Sequence, residues 1–457
     1  MGNAPVDRLS AADVAELATD SGPVPTNVGV LLVCGAAPGV DAATLEAALM
    51  QRMVTVARLR QRLERAPWGL GRPFWVDDGS FEVAKHVSRV ACPAAAATDA
   101  TVVAAAVQVV TTPLPMDRPL WRATVLTGLP GGALGVVVVM HHVLADGIGG
   151  LSVLARLVDP GADRGVDPGV ATAAGQWGPP APPRPAPGPT QLLVDVTAER
   201  LRRVRGALRR VPRALARLRR GRSELVGQGR PEAAPRCSLN APTGPRRHVV
   251  VVEVDLSPLR AAGRRHGATV NDLLLVAVTG AMGHVLAVRG EHPQALVVPV
   301  PVSARTSTTD RELGNRTGVM PVRVPLHGST VERLAAVSRV TRARKAHVRG
   351  DSAALVRPVF RLLAATGAFG WFVNRQRLVN SFLTNLPGPV EPLSLAGAPV
   401  LRTVPLTPTA GNVGVAFAAL SCAGTLTVSV VTDPDIVPEA DALAAALHHH
   451  LTTLTHL

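Results

Sequence analysis

The most chemically pointed segment of this chain is Met140-His141-His142-Val143-Leu144-Ala145-Asp146-Gly147, two adjacent histidines followed by an aspartate and a glycine. It stands where the apolar run Ala133–Met140 stops and the glycine-rich turn Gly147–Gly150 begins. A histidine there is held by a rigid strand and can still face a cleft. Imidazole titrates near pH 6.5, so at neutral pH it can take a proton from a hydroxyl while that oxygen forms a bond. General-base help of this kind is worth about 10²–10⁴-fold. Asp146 can turn back toward the histidines or pair with a cation to fix the loop. The plainer alternative is two strand-end histidines satisfied by backbone, beside a turn aspartate. The full HH, Asp and Gly pattern after such a strand favours catalysis.

No other nucleophile stands out. There is no GxSxG elbow, and Cys34, Cys92, Cys237 and Cys422 lie scattered, with no CxxC pair and no metal-ligand spacing. They read as small buried thiols of a reducing compartment, so no covalent acyl-enzyme and no metal site are expected. His448–His450 fall on a terminal helix and read as solvated surface.

The elements that must position the histidines follow from periodicity. Val28–Cys34 and Trp121–Leu129 read as strands, and Ala133–Met140 as a strand buried on both faces. Asp41 caps a helix through Val54 that carries Leu45, Leu49 and Met53 at helical spacing, and Gly147–Val158 returns to helical periodicity. The second half repeats this alternation. His248 opens a strand, and Asp255 or Ser257 caps a helix through Arg265. Val270–Val288 and Thr330–Val348 are helices, Leu296–Val302 is a strand, and Gly414–Ala419 with Thr425–Val431 forms a hairpin around Ala423-Gly424. Glu439–Leu451 closes the chain as a helix. The expected fold class is therefore α/β, a two-layer α+β arrangement in two lobes: residues 1–160, a linker over 161–246, and residues 247–457.

The 457 residues are enough for two lobes that each bury a core, and a chain 47% hydrophobic and 18% charged is neither a disordered tail nor a membrane bundle. Aromatics make up 3% with no Tyr, which argues against base-stacking recognition of nucleic acid. The net charge of +15 is concentrated: residues 200–222 hold eleven arginines and no acid. Within that segment Leu201, Val204, Leu208, Val211, Leu215 and Leu218 recur at three- and four-residue intervals. That is a basic amphipathic helix, suited to an anionic membrane or droplet surface, or alternatively docked with its arginines solvated. A proline-rich run, Gly178–Gly188, precedes it. Neither a signal peptide nor a transmembrane helix is expected, which implies a cytoplasmic protein with peripheral membrane contact at most. Leu362–Val373 is a further apolar stretch, too short to span a bilayer and read as a buried helix or channel wall.

In these segments the sequence resembles the bacterial wax ester synthase/acyl-CoA:diacylglycerol acyltransferases, within the coenzyme A-dependent acyltransferases of chloramphenicol acetyltransferase-like fold that share HHxxxDG. The resemblance rests on an ordered set. It comprises Leu9–Gly29, Pro113–Trp121 (PLPMDRPLW), Val270–Val278 with Asn271-Asp272, Pro301–Arg305 (PVSAR), Leu313–Gly318 (LGNRTG) and Thr384–Pro389 (TNLPGP). It spans nearly the whole chain outside the linker. One departure is that Pro115-Met116 stands where the family often has Asp-Arg after Pro-Leu, the Asp117-Arg118 pair coming two residues later.

The resemblance implies two chloramphenicol acetyltransferase-like lobes and a long-chain acyl transfer from acyl-CoA to diacylglycerol or a fatty alcohol. Acyl-CoA would then be a co-substrate and no resident cofactor would be needed. It implies that His142 is the base, that His141 supports it, and that Asp146, beside Gly147, orients the loop by pairing with Arg305. Asn271 would polarise the carbonyl or position substrate, with a helix N-cap as its alternative role. Asp272 and Asn385 are further supporting candidates, and the TNLPGP segment also reads as a strand-ending turn. Two other readings stay open: a carrier-protein-dependent condensation or polyketide-associated acyltransferase, and a non-catalytic lipid-surface protein.

Overall fold

The computed structural model describes residues 6–20, 22–67, 69–92, 98–144, 147–159, 182–202, 204–205, 233–303, 317–347 and 368–457. Asp146, Arg305, the LGNRTG asparagine, Leu362 and the arginine-rich segment beyond residue 205 lie outside them.

The first lobe is built on a six-stranded mixed sheet. Its core strands are β1 (Asn27–Cys34), β4 (Val87–Ala91), β5 (Trp121–Thr127) and β6 (Leu134–His141), and β2 (Gln61–Glu64) with β3 (Phe74–Asp77) makes a separate hairpin. β6 lies between β1 and β5, antiparallel to both. Its two faces are both covered, which is why it reads as an unbroken apolar run. Val136, Val138 and Met140 pack with Trp121 and the helices α2 (Ala42–Met53) and α4 (Gly147–Leu157), while Val137 and Val139 face α3 (Asp99–Thr111). Asp41 caps α2 through the Thr44 N–H, and Leu45, Leu49 and Met53 are all buried, as their spacing requires. The short α1 (Ala11–Thr19) opens with a reciprocal Ser10–Asp13 capping box.

The second lobe carries β7 (His248–Asp255), β8 (Ala295–Ser303), β9 (Thr317–Pro325), β10 (Phe382–Pro387), β13 (Val415–Cys422) and β14 (Thr425–Thr432). β10, β13, β14 and β7 form a four-stranded sheet in that order, and β8 pairs with β9 along their whole lengths. Asp255, not Ser257, caps α5 (Leu256–Arg265), accepting the Ser257 N–H at 2.9 Å. α6 (Val270–Val288) is apolar around most of its circumference because residues 272–282 are all buried, packed against α7 (Thr330–His347) and α9 (Ala440–Thr455) among others. It is long and apolar enough to cross a membrane, yet most of it is buried within the protein. A short helix, α8 (Phe369–Val373), stands near α1. The β13–β14 turn places Ala423 and Gly424 at φ 47° and 83°, the two left-handed residues of a tight hairpin whose twist matches its strands.

The lobes interlock. Two strands late in the chain, β11 (Ser394–Leu395) and β12 (Ala398–Leu406), complete the first lobe's sheet, where β12 pairs antiparallel with β1. From β12, Arg402 reaches Glu253 on β7 at 2.7 Å and Asp99 at the start of α3 at 3.1 Å. The segment between the lobes is also less detached than its composition suggests. Arg184 grips the Asp77 carboxylate and holds it well below the usual carboxylate range. The helix over 189–202 then docks by Leu192 and Val196, with Asp195 bound to Arg8 and Glu199 to Arg72. Packing into the second lobe resumes before His248: Ala234 and Leu239 are already buried, and Asn240 bonds the carbonyls of Asn380 and Asn412.

Candidate active site

The histidine pair is set by its backbone first. At the end of β6 the His141 N–H donates to the Leu120 carbonyl at 3.0 Å and the His142 N–H to the Thr26 carbonyl at 2.9 Å. The proline–tryptophan block thus acts through structure. Its Trp121 is buried, stacks on His86 with ring centroids 4.5 Å apart, and donates its indole N–H to the Leu59 carbonyl. Asp117 and Arg118 pair with each other on the exposed turn.

The two rings then divide. His141 is 2% exposed: its Nδ1 accepts the Val143 N–H at 3.1 Å, so the proton sits on Nε2 and is donated to Asp20 Oδ2 at 3.0 Å. With both nitrogens engaged inside the protein, His141 is a holding group. His142 is partly exposed, its side chain at 29%, with Glu16 Oε2 4.0 Å from its Nδ1. Asp20 braces both residues, since its other oxygen accepts the N–H of Thr26, whose carbonyl carries His142. Burial pushes the Asp20 carboxyl up, but the bonds from His141 and Thr26 outweigh it and leave the group below its ordinary value.

Beyond the pair, Gly147 is the first residue of α4. α4, the helix that follows the histidine pair, packs against β10, which carries Asn385 and leads into the TNLPGP turn. Asn385 is half-buried and sits opposite Ala419 of β13. Gly388 shows why the turn needs glycine: a Cβ there would lie 2.2 Å from the Ser421 carbonyl oxygen. Gly388→Ala is expected to lower stability by about 2–3 kcal/mol, because the backbone must yield around an overpacked contact. Thermal or urea unfolding measures this, and an unchanged midpoint would refute the close approach.

Asn271 is not the cap of α6. Thr269 holds that position, in a reciprocal box with Asp272, and Asn271 is a half-buried residue one turn-position inside. Asp272 is 2% exposed with both oxygens engaged: Oδ2 accepts from the Thr269 N–H and hydroxyl, and Oδ1 accepts the Thr341 hydroxyl of α7. It ties α6 to α7 from a buried position, which makes it a structural residue. The cysteines offer no nucleophile either. Burial pushes Cys34 up to about 12 and also raises Cys92, Cys237 and Cys422, so none is a thiolate at neutral pH. Among the described residues no group of three or more His, Cys, Asp or Glu is arranged to hold a metal ion.

Sequence reasoning missed Asp20, Glu16, Thr26 and Asn27 as individuals, although all four fall within the Leu9–Gly29 block. It also missed Arg247 and Thr409. Arg247 sits at the linker boundary with its side chain 2% exposed, donating to the carbonyls of Gly244, Arg246 and Thr409.

Comparison with solved structures identifies this two-lobed fold. It is shared with the wax ester synthase/diacylglycerol acyltransferase of Marinobacter aquaeolei VT8 (TM-score 0.66, 20% identity, 98% of this chain and 100% of that one). It is shared also with the first condensation domain of the calcium-dependent antibiotic synthetase (TM-score 0.63, 19% identity, 100% and 96%). Residues 9–274 match the wax ester synthase/diacylglycerol acyltransferase catalytic domain, and residues 313–455 match the C-terminal domain of the same family. The chain is 30% identical over 461 residues to a probable diacylglycerol O-acyltransferase of Mycobacterium tuberculosis H37Rv, covering 98% of this chain and 92% of that protein. It is 28% identical to a putative diacylglycerol O-acyltransferase of M. tuberculosis CDC 1551, over 98% of this chain and 90% of that protein. This chain belongs to the wax ester synthase/diacylglycerol acyltransferase family.

Proposed function

We propose that the protein is an O-acyltransferase that moves a long-chain acyl group from acyl-CoA to diacylglycerol, making triacylglycerol, or to a long-chain alcohol, making a wax ester. The observation that carries this reading is the division of labour between a sealed His141 and a partly exposed His142. His142 takes the proton of the acceptor hydroxyl as its oxygen attacks the thioester carbonyl. The tetrahedral oxyanion collapses and expels the coenzyme A thiolate, which takes the proton back from the imidazolium. The Glu16 carboxylate lies on the Nδ1 side, where it offsets the transient positive charge. Acyl-CoA and acceptor meet directly, with no resident cofactor. Acyl-CoA consumption by the purified protein, supplied separately with diacylglycerol and with a long-chain alcohol, tests this. Turnover with either supports it, and folded protein inert with both would overturn it.

The lipid products call for a surface, and we place the cytoplasmic protein on an anionic membrane or droplet face through residues 200–222. On the docked helix over 189–202 and just beyond it, Leu193, Val194, Leu201 and Val204 point outward and are 50–67% exposed, at the head of the eleven-arginine run. Apolar side chains beside arginines suit a headgroup boundary, where each basic residue contributes about 1 kcal/mol. The double variant Leu201→Glu/Val204→Glu is expected to lower binding to vesicles containing anionic phospholipid by at least about tenfold. Unchanged co-sedimentation would remove this helix from the contact.

A further inference from the structure

Of the tryptophans among the described residues, Trp75 and Trp121 are buried, whereas Trp371 is 62% exposed. It stands on α8, whose Phe369 packs inward. Hydrogen bonds fix its position. The Val373 carbonyl accepts the Asn412 N–H at 3.1 Å, and Gln376 holds the turn that follows. Its Oε1 accepts the N–H groups of Leu378 and Val379, and its Nε2 donates to Asn412 Oδ1. Arg377 is tied to Ala234 by its carbonyl, which accepts the Ala234 N–H, and by its guanidinium, which donates to the Ala234 carbonyl. This framework keeps Trp371, Arg375, Arg377 and Leu378 on the outside. The Arg375 guanidinium lies 5.4 Å from the centre of the Trp371 ring.

An indole held out in water is unfavourable, and its part-apolar, part-polar ring suits the headgroup level of a lipid surface. The charge around it selects the lipid. From Ser352 to Val390 the sequence carries Arg357, Arg361, Arg375 and Arg377 and no acidic residue. A ring with a guanidinium laid on it combines burial among acyl chains with attraction to phosphate. The location matters as much. α8 packs against α1, and α1 carries Glu16, whose carboxylate lies 4.0 Å from His142 Nδ1. Trp371 thus stands one helix away from the histidine site.

We infer that Trp371 and the arginines beside it seat the protein on a bilayer surface containing anionic phospholipid, with the α1–α8 side turned toward the lipid. This rests on the proposed use of a lipid acceptor and adds an orientation to it. The arginine run over 200–222 supplies attraction to the surface, and Trp371 sets which side of the molecule meets it. Diacylglycerol dissolved in that surface then reaches His142 from the α1–α8 side without first crossing water. A water-soluble acceptor needs no such seat, so the two kinds of acceptor respond differently when Trp371 is changed.

The test mixes the full-length protein with vesicles of phosphatidylglycerol and phosphatidylcholine whose acyl chains are brominated, so that any indole touching them is quenched. Quenching in wild type is expected to exceed that in Trp371→Phe, and to shrink when phosphatidylglycerol is left out. In the activity arm, Trp371→Glu is expected to lower kcat/KM for vesicle-borne diacylglycerol on the order of tenfold. Its kcat/KM for a water-soluble short-chain alcohol should stay at the wild-type value. Equal quenching of wild type and Trp371→Phe would overturn the proposal, as would an equal loss with both acceptors. Indole emission that shifts with protein concentration and ignores vesicles would assign the face to a second copy of the chain, and the proposal would fall. The quenching arm needs no turnover, so a wild-type protein inert with every acceptor would overturn the acyl-transfer reading alone.

Discussion

His142→Ala is expected to lower kcat by about 10²–10⁴-fold while the protein stays folded and still binds acyl-CoA. The side chain is partly exposed at the end of a strand whose neighbours are all packed, so truncating it opens no core cavity. His141 cannot substitute, because its Nδ1 already accepts the Val143 N–H and its Nε2 proton is committed to Asp20. The contrast with His141→Ala is therefore informative. That change empties a 2% exposed position and strands the Asp20 carboxylate, so it should lower both the unfolding midpoint and kcat. Single-turnover measurements with saturating acyl-CoA separate the two effects. If His142→Ala retained more than about a tenth of the wild-type rate, general-base catalysis by this residue would be abandoned.

Much of the fold was legible because it is written locally. The four valines of β6, the Asp41 cap with Leu45, Leu49 and Met53, the Val270–Val288 helix and the turn at Ala423-Gly424 all depend on residues a few positions apart. What periodicity cannot carry is partnership at a distance. Nothing about Ala398–Leu406 as a string says that it leaves its own half and pairs with β1. Asp20 and His141 are 121 residues apart, and Arg247 and Thr409 are 162 apart, so neither contact leaves a spacing signal. The site divides in the same way. HHxxxDG is compact in sequence and therefore visible, whereas the braces behind it, Asp20 and Thr26, come from the segment between α1 and β1, more than a hundred residues earlier. Asn271-Asp272 shows the opposite hazard: a pair that stands out in the string can serve a helix cap, and both oxygens of Asp272 are engaged by Thr269 and Thr341.

Asp20→Ala is expected to be the most damaging change at a residue that touches no substrate. One carboxylate holds the Thr26 N–H at 2.8 Å and the His141 Nε2–H at 3.0 Å, and Thr26 in turn carries His142 on its carbonyl. Removing it leaves two enclosed donors unmatched, at about 1–3 kcal/mol each. It also frees the strand-end backbone that aims His142, and a shift of about 1 Å at a catalytic group is enough to cost roughly 10²-fold in rate. Asp20→Asn should fall between wild type and alanine, since its amide oxygen serves one donor while its NH₂ faces the other. The pH dependence has a definite sign. The folded Asp20 carboxyl lies below its ordinary value, so its contribution to stability is complete above the unfolded value of about 3.9 and is lost as pH falls through the folded one. The stability gap between wild type and Asp20→Ala, measured by denaturant unfolding, should therefore be constant from pH 5 to 7 and narrow below about pH 4. A gap that widened on acidification would mean that the carboxyl is held neutral, and that Asp20 is not the anionic brace of the histidine pair.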